Sequence, residues 1–275
     1  MNVSSRLPVI TSAILLLLLA PSLGCNRLKA RDQLNKGVQA YKNARFEDAI
    51  NHFQEAINLD PSLPTAKLYL ATAYAQQVVP NVATPENLKN ANSAIALYQE
   101  VLNKNPEDMG SLKGIAALYL NIGKPDLAKE YQKKVLAIKP DDADANYTIG
   151  YIDWKAAYNN AIPMRNKLGQ QDDGSAIKDK NACTELAGQN AALVDEGIDS
   201  LQKAIAARPD YSDAMAILNL TYRRKAEIEC GNDDARKADI AKADALVQKA
   251  MDAKKHEEAA KSSNASGGIS IDPDK

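Results

Sequence analysis

Reactive side chains are few in this chain of 275 residues, which has three cysteines and two histidines. His52 and His256 stand far apart, and neither has a cluster of acids or thiols around it. No glycine-rich phosphate loop, CxxC or HExxH occurs. The paired carboxylates Asp141–Asp142 and Asp233–Asp234 fall at predicted turns, where an acid caps a helix or is solvated. The sequence therefore offers no catalytic constellation, no metal site and no cofactor site, and it reads as a non-enzyme. The thiols of Cys25, Cys183 and Cys230 remain.

One other pattern has chemical content. Tyr147, Tyr151, Trp154 and Tyr158 recur at intervals of four, three and four, which places four aromatic side chains on one stripe of one helix. Such a stripe is either local core, covered by a neighbouring helix, or a surface that grips a ligand. Aromatic area beside a guanidinium is a common anchor for peptide or sugar.

These side chains need elements to position them, and the first element is at the N-terminus. Arg6 is the only charge before Arg27, and between them runs "ILLLLLAPSLGCN", Ile14 to Asn26. The apolar centre is shorter than the roughly 20 residues of a spanning helix. A positive start, a short apolar stretch and small residues before a cut site fit a secretory signal. The motif "SLGC", Ser22 to Cys25, resembles a bacterial lipobox, although Ser22 stands where Leu is usual. The resemblance implies cleavage before Cys25, lipidation of that cysteine, and a membrane-anchored protein facing the periplasm, on the outer membrane rather than the inner.

The formal net charge is −1, so there is no basic excess to neutralise a phosphate backbone, and nucleic acid is an unfavoured partner. Two Phe and one Trp exclude a large aromatic core. The rest is rich in helix formers.

Spacing then gives the architecture. Four segments end alike, "AINLDP", "VLNKNP", "VLAIKP" and "AIAARP", closing at Pro61, Pro106, Pro140 and Pro209. Their separations correspond to a period of about 34 residues, with insertions in two of the intervals. In "GVQAYKNARFEDAINHFQEAINLDP", small residues (Gly37, Ala49, Ala56) alternate with large ones (Tyr41, Phe46, Phe53) at helix-pair spacing. Period and residue type together resemble the tetratricopeptide repeat family. The fold implied is all-α, a right-handed superhelical array of about five helix–turn–helix repeats, with insertions in the second, fourth and fifth. In that family the slots of Tyr147, Tyr151, Trp154 and Tyr158 face a ligand groove, and the matching slots of the next repeat hold Arg223 and Arg224. A Lys and an Asn used by chaperone-tail-binding relatives are replaced here by Leu34 and Val38, so that partner class is not expected. Asp153 occupies a slot where a large apolar residue is usual.

The organisation expected is a signal peptide over 1–24, a short linker to the anchor over 25–29, the array over 30–255 and a disordered tail over 256–275. With Cys25 lipidated, Cys183 and Cys230 remain, both in insertions; they either form a disulfide or stay as two small buried residues. The function expected is a protein–protein interaction scaffold of the cell envelope. The alternative is a peptide or glycan binder that uses the aromatic groove of the fourth repeat.

Overall fold

The computed structural model describes residues 20–172 and 175–266. The signal-peptide reading of residues 1–19 and the tail beyond 266 lie outside the described residues. Every regular element described is an α-helix: α1 (Ala20–Lys42), α2 (Phe46–Leu59), α3 (Pro64–Gln76), α4 (Pro85–Lys104), α5 (Met109–Asn121), α6 (Pro125–Ile138), α7 (Ala143–Lys167), α8 (Lys180–Ala207), α9 (Ser212–Glu227) and α10 (Asp233–Ser266). This is the all-α array of helix pairs that the 34-residue period predicts. Each closing proline sits just past a helix end: Pro61 after Leu59, Pro106 after Lys104, Pro140 after Ile138 and Pro209 after Ala207. Proline lacks the amide that would continue the ladder, and it turns the preceding residue out of helical geometry. Among the described residues no helix is long and apolar enough to cross a membrane.

The chain divides into two units at Ala128/Lys129. In the first, Phe53 is fully buried among Ala40, Ala49, Leu70 and Ala73. The insertion between α3 and α4 is a loop, as its composition predicts, and a single side chain organises it. The Asn87 amide accepts from the Val79 N–H at 2.7 Å and donates to the carbonyls of Val79 and Val82 at 2.9 and 2.7 Å. Thr84 caps α4 by accepting from the Asn87 N–H, and Pro85 follows in the first turn.

The second unit contains the last four helices. Asp142 caps α7 and Asp179 caps α8, each accepting the N–H three residues on. α7 and α8 run 25 and 28 residues, about twice the 13 of α3 and of α5. The extra turns are the insertion of the fourth repeat, and they meet at a loop that opens on Gly169 with φ +62°.

Two boundaries read from the sequence need correction. The expected linker, Cys25 to Lys29, is helical and belongs to α1, with the Cys25 thiol exposed. Good helix formers such as Arg27, Leu28, Lys29 and Ala30 let the helix propagate backward through this stretch. The expected tail from 256 is also helical as far as Ser266. The reason is a cap in trans. Tyr211 precedes α9 without a side-chain cap, and Glu257 of α10 accepts from the Ser212 N–H at 3.1 Å and from the Ser212 hydroxyl at 2.9 Å. A carboxylate at the start of α9 satisfies an orphan donor and complements the helix dipole, so ordering the end of α10 is favourable.

Candidate functional site

α7 carries two stripes with different tasks. Gly150, Asp153, Ala157 and Asn160 face α8. A Cβ on Gly150 would lie 2.4 Å from Leu201 Cγ, so only glycine permits this approach. Further along, the buried Asn190 amide donates to the Ala157 carbonyl at 3.0 Å and accepts from Asn160 at 2.9 Å. The aromatic residues lie about a third of a turn round the helix from this stripe.

Those aromatics form a continuous ladder. Ring centroids step by 6.3 Å from Tyr147 to Tyr151, 5.8 Å to Trp154 and 5.8 Å to Tyr158, and Tyr147 meets Tyr211, just before α9, at 5.0 Å. All four rungs are half-buried, so the stripe is neither enclosed core nor free in solvent. Burial, helped by the Asp213 and Tyr151 charges, raises the Tyr147 pKa, so its phenol stays a neutral donor. The Lys155 ammonium lies 4.7 Å from the Tyr158 centroid and 5.9 Å from that of Trp154.

The two arginines expected beside the stripe do not act as free anchors there. Arg224 is buried, with its guanidinium 5.7 Å from the Tyr158 centroid. It pairs with Asp172 at 2.5 Å and with Glu227 at 3.1 Å. Arg223 makes an exposed pair with Asp244 at 2.7 Å. Charge pairing overturns the expectation for Arg224, whereas Arg223 holds only a surface pair. An arginine at 6% exposure with two carboxylate partners belongs to the fold, and it backs the ladder from inside.

Arg224 is one member of a buried ion cluster at the far end of the unit. Arg165 on α7, 1% exposed, donates from Nε to Glu227 Oε1 at 2.7 Å, and its other nitrogens reach the carbonyls of Gln171 and Ser175. Glu227 is fully buried. Desolvation raises its pKa, while Arg224 and Arg165 act against that shift. One guanidinium thus ties α7, the inserted loop and α9 together. Beside it Cys183 and Cys230 form a disulfide with Cα atoms 5.8 Å apart. Cys183 lies in the first turn of α8. Cys230 lies beyond the end of α9, where the unwound chain covers more distance per residue than a helix. That break brings two sulfurs level which a continuous helix would leave about 9 Å apart.

Asp153 is 1% exposed. It meets Lys129, which also donates to Glu196 at 3.0 Å, and Lys133 pairs with Glu196 at 2.8 Å. A large apolar residue would fill this slot by area; here a shared ammonium fills it by charge. Burial pushes the Asp153 carboxyl up to about 6 against the pull of Lys129.

The first unit has an apolar groove of about 420 Å³ that includes Val38, Tyr41, Leu68, Tyr69 and Thr72. In the sequence Tyr41 reads only as a packing residue and Val38 only as a replaced slot. They share α1, and Leu68, Tyr69 and Thr72 share α3, so the groove is marked only once the two helices are paired. Among the described residues no group of three or more His, Cys, Asp or Glu is placed to hold a metal.

Comparison with known proteins agrees with this geometry. The tetratricopeptide repeat profile matches residues 114–142. The small glutamine-rich tetratricopeptide repeat-containing protein 2 of Saccharomyces cerevisiae is 26% identical over 145 residues, 53% of this chain and 39% of that protein. The chain thus spans about two fifths of this relative's length. MamA (residues 41 to the end) from Desulfovibrio magneticus RS-1 superimposes with a TM-score of 0.54 at 19% identity, covering 83% of this chain and 96% of that one. YrrB, described as a TPR protein with an unusual peptide-binding site, gives 0.50 at 16% identity over 81% and 90%. The fold is that of a tetratricopeptide array.

Two outcomes follow from the buried charges. Glu227→Gln leaves Arg165 and Arg224 without their shared anion, and it should cost about 3–5 kcal/mol in urea unfolding. Limited proteolysis should then cut first between residues 168 and 179. For Asp153, the folded pKa of about 6 lies above the ordinary 3.8. Its stability contribution is therefore full below about pH 4 and is lost as pH rises through 6, a swing of about 2–3 kcal/mol. Asp153→Asn should be at least as stable as wild type at pH 7.5, since Lys129 keeps Glu196, and the advantage should shrink to about a third by pH 4.5. Paired urea melts at the two pH values check this; a difference that does not change with pH refutes it.

Proposed function

We propose that this tetratricopeptide array is a non-catalytic interaction scaffold of the bacterial cell envelope, tethered through a lipidated Cys25 and holding a protein or peptide partner on the ladder of the second unit. The observation that carries the reading is the half-buried state of Tyr147, Tyr151, Trp154 and Tyr158 on α7, beside the seam where Gly150 and Ala157 meet α8. Stripes meant for core are enclosed, and stripes meant for water are polar. Four adjacent rings held from behind by a buried arginine match neither. Interface hot spots favour Trp and Tyr in partly desolvated settings of this kind. The likeness in fold to YrrB, a protein described as having an unusual peptide-binding site, supports the reading from outside.

The envelope address rests on "SLGC" and on an exposed Cys25 at the start of the array. Acylation there places α1 next to the lipid surface. The Cys183–Cys230 bond supports an oxidising compartment, where such bonds persist.

Crosslinking and pull-down from envelope membranes tests the scaffold. Wild type should retain a stoichiometric protein partner. Trp154→Ala should weaken retention by about 2 kcal/mol or more, some 30-fold, while costing less than about 2 kcal/mol of stability. Binding lost only in proportion to unfolding would reject the ladder as the site. Cys25→Ala should leave the precursor uncleaved, read as a larger mass on a gel, and should shift its partitioning between the detergent and aqueous phases. An unmodified N-terminus downstream of Cys25 in wild-type protein, read by mass spectrometry, would remove the anchor.

A further inference from the structure

The ladder has three properties that narrow its ligand. The first is its pitch. Successive centroids lie 6.3, 5.8 and 5.8 Å apart, and the polyproline II helix advances about 6.2 Å every two residues. From Tyr147 to Tyr158 the helix rises about 16 Å, the length of five or six residues in that conformation.

The second is polarity. Among the described residues the hydroxyls of Tyr147, Tyr151 and Tyr158 have no hydrogen-bond partner within the chain. A helix face presents no backbone acceptors, so an ordinary extended peptide would leave its N–H groups unpaired against these rings, at a cost. A proline-rich segment has few N–H groups to lose. Its carbonyls project outward and unpaired, where phenol donors reach them. Adjacent rings are tilted by 31°, 46° and 37°, which makes a series of ridges rather than one flat platform. Pyrrolidine rings fit between ridges, whereas a sugar stacks on a plane.

The third is charge. The Lys155 ammonium has no carboxylate partner among the described residues and touches only the rings of Trp154 and Tyr158. At the opposite end the Asp213 charge acts on Tyr147. The ladder therefore carries a positive charge without a carboxylate partner beside Trp154 and Tyr158.

From these we infer that the ladder is a track for a proline-rich segment in the polyproline II conformation, with an acidic residue set against Lys155. This rests on the reading of the ladder as the partner site, and it names the chemistry of what binds there. The segment arrives already extended, so little conformational entropy is lost on docking.

Trp154 is the only tryptophan of the chain, so its emission reports on the track directly. The full chain in detergent is titrated with a ten-residue peptide of prolines around one glutamate. The controls are the same peptide with its prolines replaced by alanine and serine, and the proline peptide with glutamine for glutamate. Expected is a saturable change in Trp154 emission, with the proline peptide binding at least tenfold tighter than the alanine–serine control. Glutamine in the peptide or Lys155→Met in the protein should each weaken binding about 3- to 10-fold, and the two changes together no further. Tyr151→Phe, which keeps the ring, should weaken it about 3-fold or more. Equal binding of the proline and alanine–serine peptides overturns the inference and leaves the ladder a peptide site of another kind. A cello-oligosaccharide that shifts the emission when neither peptide does also overturns it, in favour of a glycan. If no probe shifts the emission and Trp154→Ala still retains the envelope partner, the inference and the ladder as a site fall together.

Discussion

A helix that must pack closely on one side and stay open on another needs small residues on the first side, and α7 shows how narrow that margin is. At Gly150 a single added carbon would collide with Leu201 at 2.4 Å. Close approach there brings Ala157 within reach of Asn190, which bonds to the Ala157 carbonyl, and it seats Asp153 beside Gly197. α8 is thereby drawn onto one stripe of α7. The stripe of Tyr147, Tyr151, Trp154 and Tyr158 stands beside that seam, where Tyr147 packs on Tyr211 and Tyr158 on Arg224, and it stays half-buried. A bulkier seam would push α8 outward and cost about 1–3 kcal/mol in strain. It would also change which face of α7 meets water.

Lengthening α7 and α8 beyond the ordinary repeat creates a second problem, because α9, the next helix of the array, has only 16 residues. The chain fills the gap with charge and a covalent bond. Arg165, Arg224 and Glu227 are all buried, and Asp172 completes the set from the loop. Buried ion pairs add little net stability compared with well-packed apolar residues, but they are strict about geometry. Here the strictness has a use. Arg165 fixes the inserted loop through two of its carbonyls, and Arg224 sits behind Tyr158. The disulfide closes the same corner over a separation of 47 residues. The end of the ladder farthest from the turn at Pro209 is thus held by the least deformable part of the unit.

Much of this was legible in the sequence because it follows from period and residue type. The closing prolines, the alternation of small and large residues and the aromatic stripe are all local patterns. What could not be read depends on partners distant in the chain. Arg224 looked like a ligand anchor until Asp172 and Glu227 were placed beside it. The helical continuation past Lys255 depends on Ser212, far upstream of Glu257, needing an acceptor. Asp153 looked like a packing fault until Lys129 arrived from α6. The groove beside Tyr41 and Tyr69 draws on several helices at once. Each miss has the same origin: a charged or polar side chain is assigned by what satisfies it, and one-dimensional spacing does not contain that.

The same reasoning separates the ladder from core. A buried tyrosine in this protein finds a partner for its hydroxyl: Tyr98 meets Thr72 at 3.1 Å and Tyr222 accepts from Gln202 at 3.0 Å. Among the described residues Tyr147, Tyr151 and Tyr158 do not, although they are half-buried and closely ringed. Polar tips left unpaired beside desolvated rings cost free energy unless water or a ligand meets them. Fold stability alone would favour phenylalanine at these rungs, yet the chain has only two phenylalanines, and neither lies on this stripe. Tyrosine at three of four rungs, with a lysine laid across the ring faces, places donors and charge on a half-buried stripe of α7 that Tyr211 and Arg224 cover only in part.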